Sequence, residues 1–353
     1  MTPSGKRCLR WLDAVVVLLA LFFSAPSSLA AEREMHPSLA GQLRMVQLRI
    51  MSGRITAGGP ASEQSLTSNY MGNSRREQLT IDLGGGRPSV NYGRFAPDER
   101  LSYQIENGSE VTIQLVPRST GDHATVVFLQ PAEGALRLRV ATGEQSQTVS
   151  APSLWHLLII EPALCREHLL PLLEIMHPNW QLAQQAVEIE NALCADQPAR
   201  PAIDHSSWEK SLQQLTSDRF VERERAEQQL RGYGPVVLPF LRRQGRSELD
   251  PEQAFRVRRV IRSLAKDADE DRPDRVLPWL TGDPRIWYAL LAREDEHVRS
   301  VAAGQLAKLL DAKLEFDPAA EPELRRAQRE RLHERFGAIV DPPPPAESDA
   351  ESE

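Results

Sequence analysis

The strongest constraint on this chain is a phrase that it repeats. Arg223-x-x-Ala226-x-x-x-Leu230 returns as Arg299-x-x-Ala302-x-x-x-Leu306, and a degraded copy, Arg258-x-x-Ile261-x-x-x-Ala265, lies between them. The leading arginines are spaced by 35 and then 41 residues. Small and apolar residues four apart behind a polar start describe a helix that buries one narrow stripe. Such a helix cannot cover its stripe alone. Recurrence at this period therefore predicts helix pairs stacked on their neighbours. Ala302 belongs in the seam between helices, where only a small side chain fits.

The region ahead of the repeats follows a period of two. Gln78–Leu83, Glu110–Val116 and Ala135–Ala141 alternate apolar and polar residues, the pattern of half-buried strands. Gly84-Gly85-Gly86, Asn107-Gly108, Gly121-Asp122 and Gly134 supply turns between them. With Ser89–Tyr92, Leu101–Ile105 and Ala124–Gln130 this makes at least six strands. Residues 31–150 are thus expected to form an antiparallel β-sandwich or barrel-like domain. Leu39–Ile50 is ambiguous, because its apolar residues suit either a helix or a strand. Residues 151–196 are Leu-rich and interrupted by Pro162, Pro171 and Pro178, which predicts short helices packed on the sheet. Pro198 and Pro201 mark 197–205 as a linker.

Helical punctuation then sets in. Ser206 and Glu209 form a capping box, and Gly232 and Gly234 stop one helix before Pro235 opens the next. Asp250-Pro251, Asp283-Pro284 and Asp317-Pro318 each read as an N-cap followed by a first-turn proline. The 339–353 segment has four consecutive prolines and acid–serine alternation, a composition that cannot form a core.

Asp218-Arg219-Phe220 through Leu238-Pro239-Phe240-Leu241, and Asp295-Glu296-His297-Val298-Arg299 through Leu306, resemble HEAT-type helical repeats. The order of apolar N-terminus, β region, Ser153-Leu154-Trp155 segment and helical end also resembles uncharacterised exported planctomycete-type bacterial proteins. The strand and helix periods together predict an α+β multidomain chain, and the resemblance implies that its helical end, over 206–338, is a HEAT-like stack. It implies scaffolding and partner binding, and no substrate.

Residues 1–30 read as a secretory signal. Lys6, Arg7 and Arg10 precede the apolar run Ala14–Phe23, and Ser28-Leu29-Ala30 ends in small residues, so cleavage is expected after Ala30. An uncleaved N-terminal anchor is the alternative; with cleavage between Ala30 and Ala31 the protein is expected to be exported, to the periplasm or the cell exterior. No later run is long enough to span a bilayer, which takes about 20 apolar residues. The formal net charge is −7, and no segment has the basic excess that phosphate contacts rely on, so nucleic acid is not an expected partner. The mature chain keeps Cys165 and Cys194, an even count that suggests one disulfide in an oxidising compartment. Two buried thiols are the alternative.

Motifs for chemistry are sparse. Cys165-x-x-His168 with His177 and Cys194 has zinc-type ligands without a second close pair. Ser207-x-x-Lys210 has the spacing of Ser–Lys acyl enzymes without their companion motifs. Asp267, Asp269 and Asp271 alternate like the start of a calcium loop, but Arg272 and Pro278 replace its Gly and Glu, leaving a solvated turn. His156 has no evident nucleophile beside it and reads as a helix-boundary histidine. No cofactor or metal site is expected.

Arg258, Arg259, Arg262 and Lys266 form a stripe opposite Val257, Ile261 and Leu264. It reads either as a solvated outer face or as a docking strip for an acidic partner. The expected function is that of a non-enzymatic binding or assembly protein acting on other proteins. The alternative is an envelope hydrolase-like enzyme with a site between the domains.

Overall fold

The computed structural model describes residues 34–340, except 61, 63, 73, 85–86, 119–123, 196–204, 245–248 and 267–270. The expected signal over 1–30, nearly all of the linker and the tail beyond 340 lie outside the described residues.

The ambiguous N-terminal stretch divides in two. Helix α1 (Pro37–Leu43) starts with a proline at its first position and buries Leu39 and Leu43. Strand β1 (Gln47–Met51) follows and pairs with β2 (Arg54–Gly58), Met51 lying opposite Arg54. The connecting Ser52-Gly53 has φ of 52° and 70°. That left-handed geometry matches the twist of a two-residue hairpin.

The other eight strands make one antiparallel meander: β3 (Ser65–Met71), β4 (Arg76–Asp82), β5 (Ser89–Phe95), β6 (Glu99–Glu106), β7 (Glu110–Pro117), β8 (Thr125–Gln130), β9 (Leu136–Thr142) and β10 (Gln145–Ala151). The order across the sheet is the order along the chain, with β3 and β10 outermost. Alternation buries Ile81, Tyr92, Leu101, Ile113, Phe128 and Leu138 on one face, while Asn91 and Gln104 point to solvent. Antiparallel strands followed by helices are as expected. The second layer is not another large sheet, however. The β1–β2 hairpin, α1 and helices after 153 share one apolar cluster with the buried face. The expected sandwich or barrel is therefore one large sheet covered mainly by helices. The reason lies in α2 (Leu154–Ile160), whose first six residues are all buried and leave no polar side to face water.

After α2 come α3 (Pro162–Leu164), a π turn at Cys165–Leu169, α4 (Leu170–Met176) and α5 (Leu182–Cys194). Tyr103 ties sheet to helix by donating its hydroxyl proton to the Leu172 carbonyl. The remaining helices are α6 (His205–Gln214), α7 (Phe220–Gly232), α8 (Leu238–Arg243), α9 (Pro251–Lys266), α10 (Pro273–Thr281), α11 (Pro284–Leu290), α12 (Glu296–Leu309) and α13 (Pro322–Val340). Asp250, Asp283 and Asp295 each accept backbone N–H bonds at a helix start. Asp317 accepts from the Ala319 N–H, but a turn follows, and α13 begins only at Pro322.

The apolar core groups the chain differently from its sequence segments. Trp208, Leu212, Ala226, Leu230, Leu238, Val257 and Ile261 form one cluster over α6–α9. Val276, Trp287, Leu290, Ala302 and Leu306, from α10–α12, belong instead to the cluster that holds the sheet. The two clear copies of the repeated phrase thus face different cores, and both bury their Ala and Leu. Their leading arginines share a task. Arg223 Nη1 donates to the Ser217 carbonyl at 2.7 Å, and Arg299 Nη1 to the Arg293 carbonyl at 2.9 Å, each reaching back six residues across the preceding turn. Arg258 makes no such bond among the described residues, so the degraded copy has lost its clasp as well as its small residue.

Candidate functional site

The two cores meet at a polar junction on the Ser52-Gly53 turn. Asp271 reaches it from the segment before α10, accepting from Ser52 N at 2.7 Å through Oδ1 and from Gly53 N at 2.6 Å through Oδ2. Trp155 Nε1 donates to the same Oδ2 at 2.7 Å. Arg242, from α8, donates through Nη1 to the Ser52 carbonyl at 2.8 Å, and the Leu154 N–H donates to the Gly53 carbonyl at 2.8 Å. Burial raises the Asp271 carboxyl to about 6, against the bonds from Trp155, Gly53 and Ser52 and the Arg242 charge. Burial lowers the Arg242 guanidinium to about 10. Asp271 is thus no member of a solvated turn, and Asp267 and Asp269 lie outside the described residues.

This junction carries a pH prediction. The Asp271 pKa is higher folded than unfolded, so the folded state binds the proton more tightly. Its contribution to stability is fully present below pH 4 and is lost as the pH rises towards 6, by roughly 3 kcal/mol. Urea denaturation at pH 4, 5, 6 and 7 checks this against Asp271→Asn, whose stability should lack that fall. Parallel profiles for the two proteins would contradict it.

Behind the junction lies a Ser–His–Asp series. Ser153 Oγ is 2.7 Å from His156 Nδ1, and His156 Nε2 is 3.5 Å from Asp283 Oδ2. His156 therefore does have a hydroxyl beside it, three residues upstream, contrary to the sequence reading. All three side chains are fully buried. Ser153 Oγ also accepts from the His156 N–H at the start of α2, and Asp283 caps α11 while pairing with Arg285 at 2.9 Å. In a hydrolytic triad the serine meets Nε2 and the carboxylate meets Nδ1. Here the two nitrogens are exchanged, and the hydroxyl is shut from solvent.

Arg285 leads to open space. A cleft of about 460 Å³ runs between Gln147–Ser150 on the outermost strand β10 and a wall bearing Arg285, Tyr288, Arg293 and Arg329. Arg293 is held from behind by Glu190 at 2.9 Å and by the Ile159 carbonyl at 2.7 Å. The Arg329 guanidinium lies 5.2 Å from the Tyr288 ring centroid. Glu161 is the acid among the lining residues.

The residues expected to act from sequence lie elsewhere. Cys165 and Cys194 are separate, buried thiols, so the expected disulfide is absent. Cys165 Sγ sits against the Leu157 carbonyl, and burial raises the two thiols to about 12 and about 11. Each is packed as a small apolar side chain, one in the π turn and one at the end of α5. No cluster of three or more potential metal ligands occurs among the described residues, and no helix there is long and apolar enough to cross a membrane.

The basic stripe is divided. Arg262 is exposed, with its Nε directed to the Arg258 carbonyl, and Arg258 is half-buried. Lys266 is the last residue of α9. Arg259 turns towards α7, where the buried Glu227 receives it together with Arg231 at 2.6 Å and Arg256 at 3.0 Å. The Glu227 bond holds the Arg259 guanidinium above its ordinary pKa. Arg259→Glu would place a second carboxylate against Glu227. Its cost should exceed the roughly 0.5 kcal/mol of an ordinary surface exchange. Arg262→Glu, by contrast, should stay within that margin, and equal melting temperatures for the two variants would contradict the pairing.

Comparison with protein-family models, with curated proteins and with solved structures finds no match to this chain.

Proposed function

We infer that this chain is an exported, non-enzymatic binding or assembly protein that works through contacts with other proteins. One observation carries this reading: the most catalyst-like cluster among the described residues, Ser153–His156–Asp283, is closed to solvent and spends its hydroxyl and carboxylate on helix starts, whereas a cleft beside a sheet edge is open to a partner. A nucleophile needs reach to a substrate carbonyl. An edge strand offers backbone groups to another chain. Export rests on the apolar N-terminal run and its small-residue end.

The helical part is read as a short, irregular HEAT-like stack. In its support, the first and last copies bury the same Ala and Leu positions and clasp the preceding turn through the same arginine nitrogen. The rival reading, an envelope hydrolase-like enzyme, draws on the Ser153–His156 distance alone. Crosslinking pull-down from the native envelope, with fluorophosphonate labelling of the same sample, separates the two. The binding reading expects captured partner proteins and an unlabelled Ser153. Labelling lost in Ser153→Ala would overturn it.

A further inference from the structure

We propose that the cleft beside β10 takes an extended acidic peptide segment of a partner protein, laid along the open strand edge with its carboxylates on Arg285, Arg293 and Arg329. The proposal rests on the binding reading and specifies its ligand.

The floor comes first. β10 is the last strand of the sheet, and its residues Gln145–Thr148 are exposed. Gln147–Ser150 line the cleft, so the strand side of the groove is an unextended backbone edge that carries the polar side chains of Gln147, Thr148 and Ser150. Such an edge binds an incoming strand by main-chain hydrogen bonds, which are indifferent to sequence. Selectivity must come from the facing wall.

That wall is cationic and pre-positioned. Arg285 spends Nε and Nη2 on Asp283, and Arg293 spends the same two groups on Glu190 and the Ile159 carbonyl. Neither Nη1 makes a hydrogen bond among the described residues. The carboxylates behind fix both guanidiniums, so little side-chain freedom is lost when a ligand carboxylate arrives. Arg329 lies over Tyr288, and its buried Nε has no hydrogen-bond partner among the described residues. Three guanidiniums and one carboxylate, Glu161, therefore line the groove. The donors are spread over α11, the turn after it and α13. That spread, in a volume of about 460 Å³, suits a chain bearing spaced carboxylates better than a single small anion.

The test uses the full chain and a fluorescein-labelled peptide of four Glu-Thr repeats, with four Gln-Thr repeats as the neutral counterpart. Anisotropy should show binding of the acidic peptide that weakens with salt. Arg329→Gln should weaken it at least about tenfold, because it removes a guanidinium that makes no ion pair among the described residues, and an unchanged melting temperature would show that its stacking on Tyr288 is not what is read. Hydrogen exchange should slow at Gln147–Ser150 when the peptide is bound. Equal binding of the neutral peptide overturns the proposal. So does the absence of binding, or displacement by millimolar inorganic phosphate with no protection along Gln147–Ser150, which marks a small-anion pocket. If pull-down still captures partners while the acidic peptide does not bind, this cleft fails and the binding reading stands. Labelling of Ser153 would remove that reading itself.

Discussion

Gly53→Ala should lower stability by roughly 3–5 kcal/mol, read as a shift in the urea midpoint at unchanged slope. Two costs combine. Gly53 has φ of +70°, where a side chain is strained by about 1–2 kcal/mol. An added Cβ would also lie 2.2 Å from Ser153 Cβ and 2.8 Å from its Oγ. Ser153 has no room to retreat, because it is buried at the start of α2 and held by His156. Moving the turn is no remedy, since the Gly53 N–H and carbonyl are bound to Asp271 and Leu154. Gly143→Ala is the control. It shares the positive φ, at 58°, but has open space where the Cβ would sit, so it should show the strain alone. A loss below about 1 kcal/mol in Gly53→Ala would mean that turn and helix are not in this contact.

Asp271→Ala is expected to cost about 3 kcal/mol or more at neutral pH. It leaves the N–H groups of Ser52, Gly53 and Trp155 without their acceptor, and Arg242 buried without its nearby carboxylate. The desolvation cost of the carboxylate itself is returned, which keeps the net below the sum of the lost bonds. The junction joins two cores, so the loss should also split the unfolding transition. Tryptophan fluorescence, reporting both lobes, and near-ultraviolet dichroism should cease to coincide. A single coincident transition within about 1 kcal/mol of the parent would sink the assignment of Asp271 as the tie.

How much of this was legible in the sequence depends on which residues see two environments. β4, β7 and β9 stand out in the sequence because Leu79, Ile113 and Leu138 face a core while their neighbours face water. β3 buries no residue, and only the last residue of β10 is buried, so neither carries a period-two signal. The cleft is therefore hidden twice. Its floor is a patternless edge, and its arginines, at 285, 293 and 329, lie more than 130 residues downstream of that floor. Ser153 and His156 are three residues apart at a helix start, a spacing visible in the sequence, whereas Asp283 reaches them only through the fold. Asp271 sits in an acidic alternation that suggests solvent, yet its partner turn lies 219 residues upstream. Helical geometry alone puts Arg258, Arg259, Arg262 and Lys266 of α9 on one stripe, and it does not reveal that Glu227 lies across the seam from Arg259.

The division of the cores also has a meaning in time. The sheet and helices α2–α5 complete their apolar cluster with Val276, Trp287 and Leu306, which follow Cys194 only after roughly 80 residues or more. A chain emerging from its N-terminus thus holds an unfinished hydrophobic surface until the intervening α6–α9 lobe has been made. That lobe has a core of its own and can condense while the first part waits. The last helices then act as the closing element of a structure begun at the other end. Contacts of such sequence separation fold slowly, so the interval before closure is when this molecule most needs shelter from its own kind.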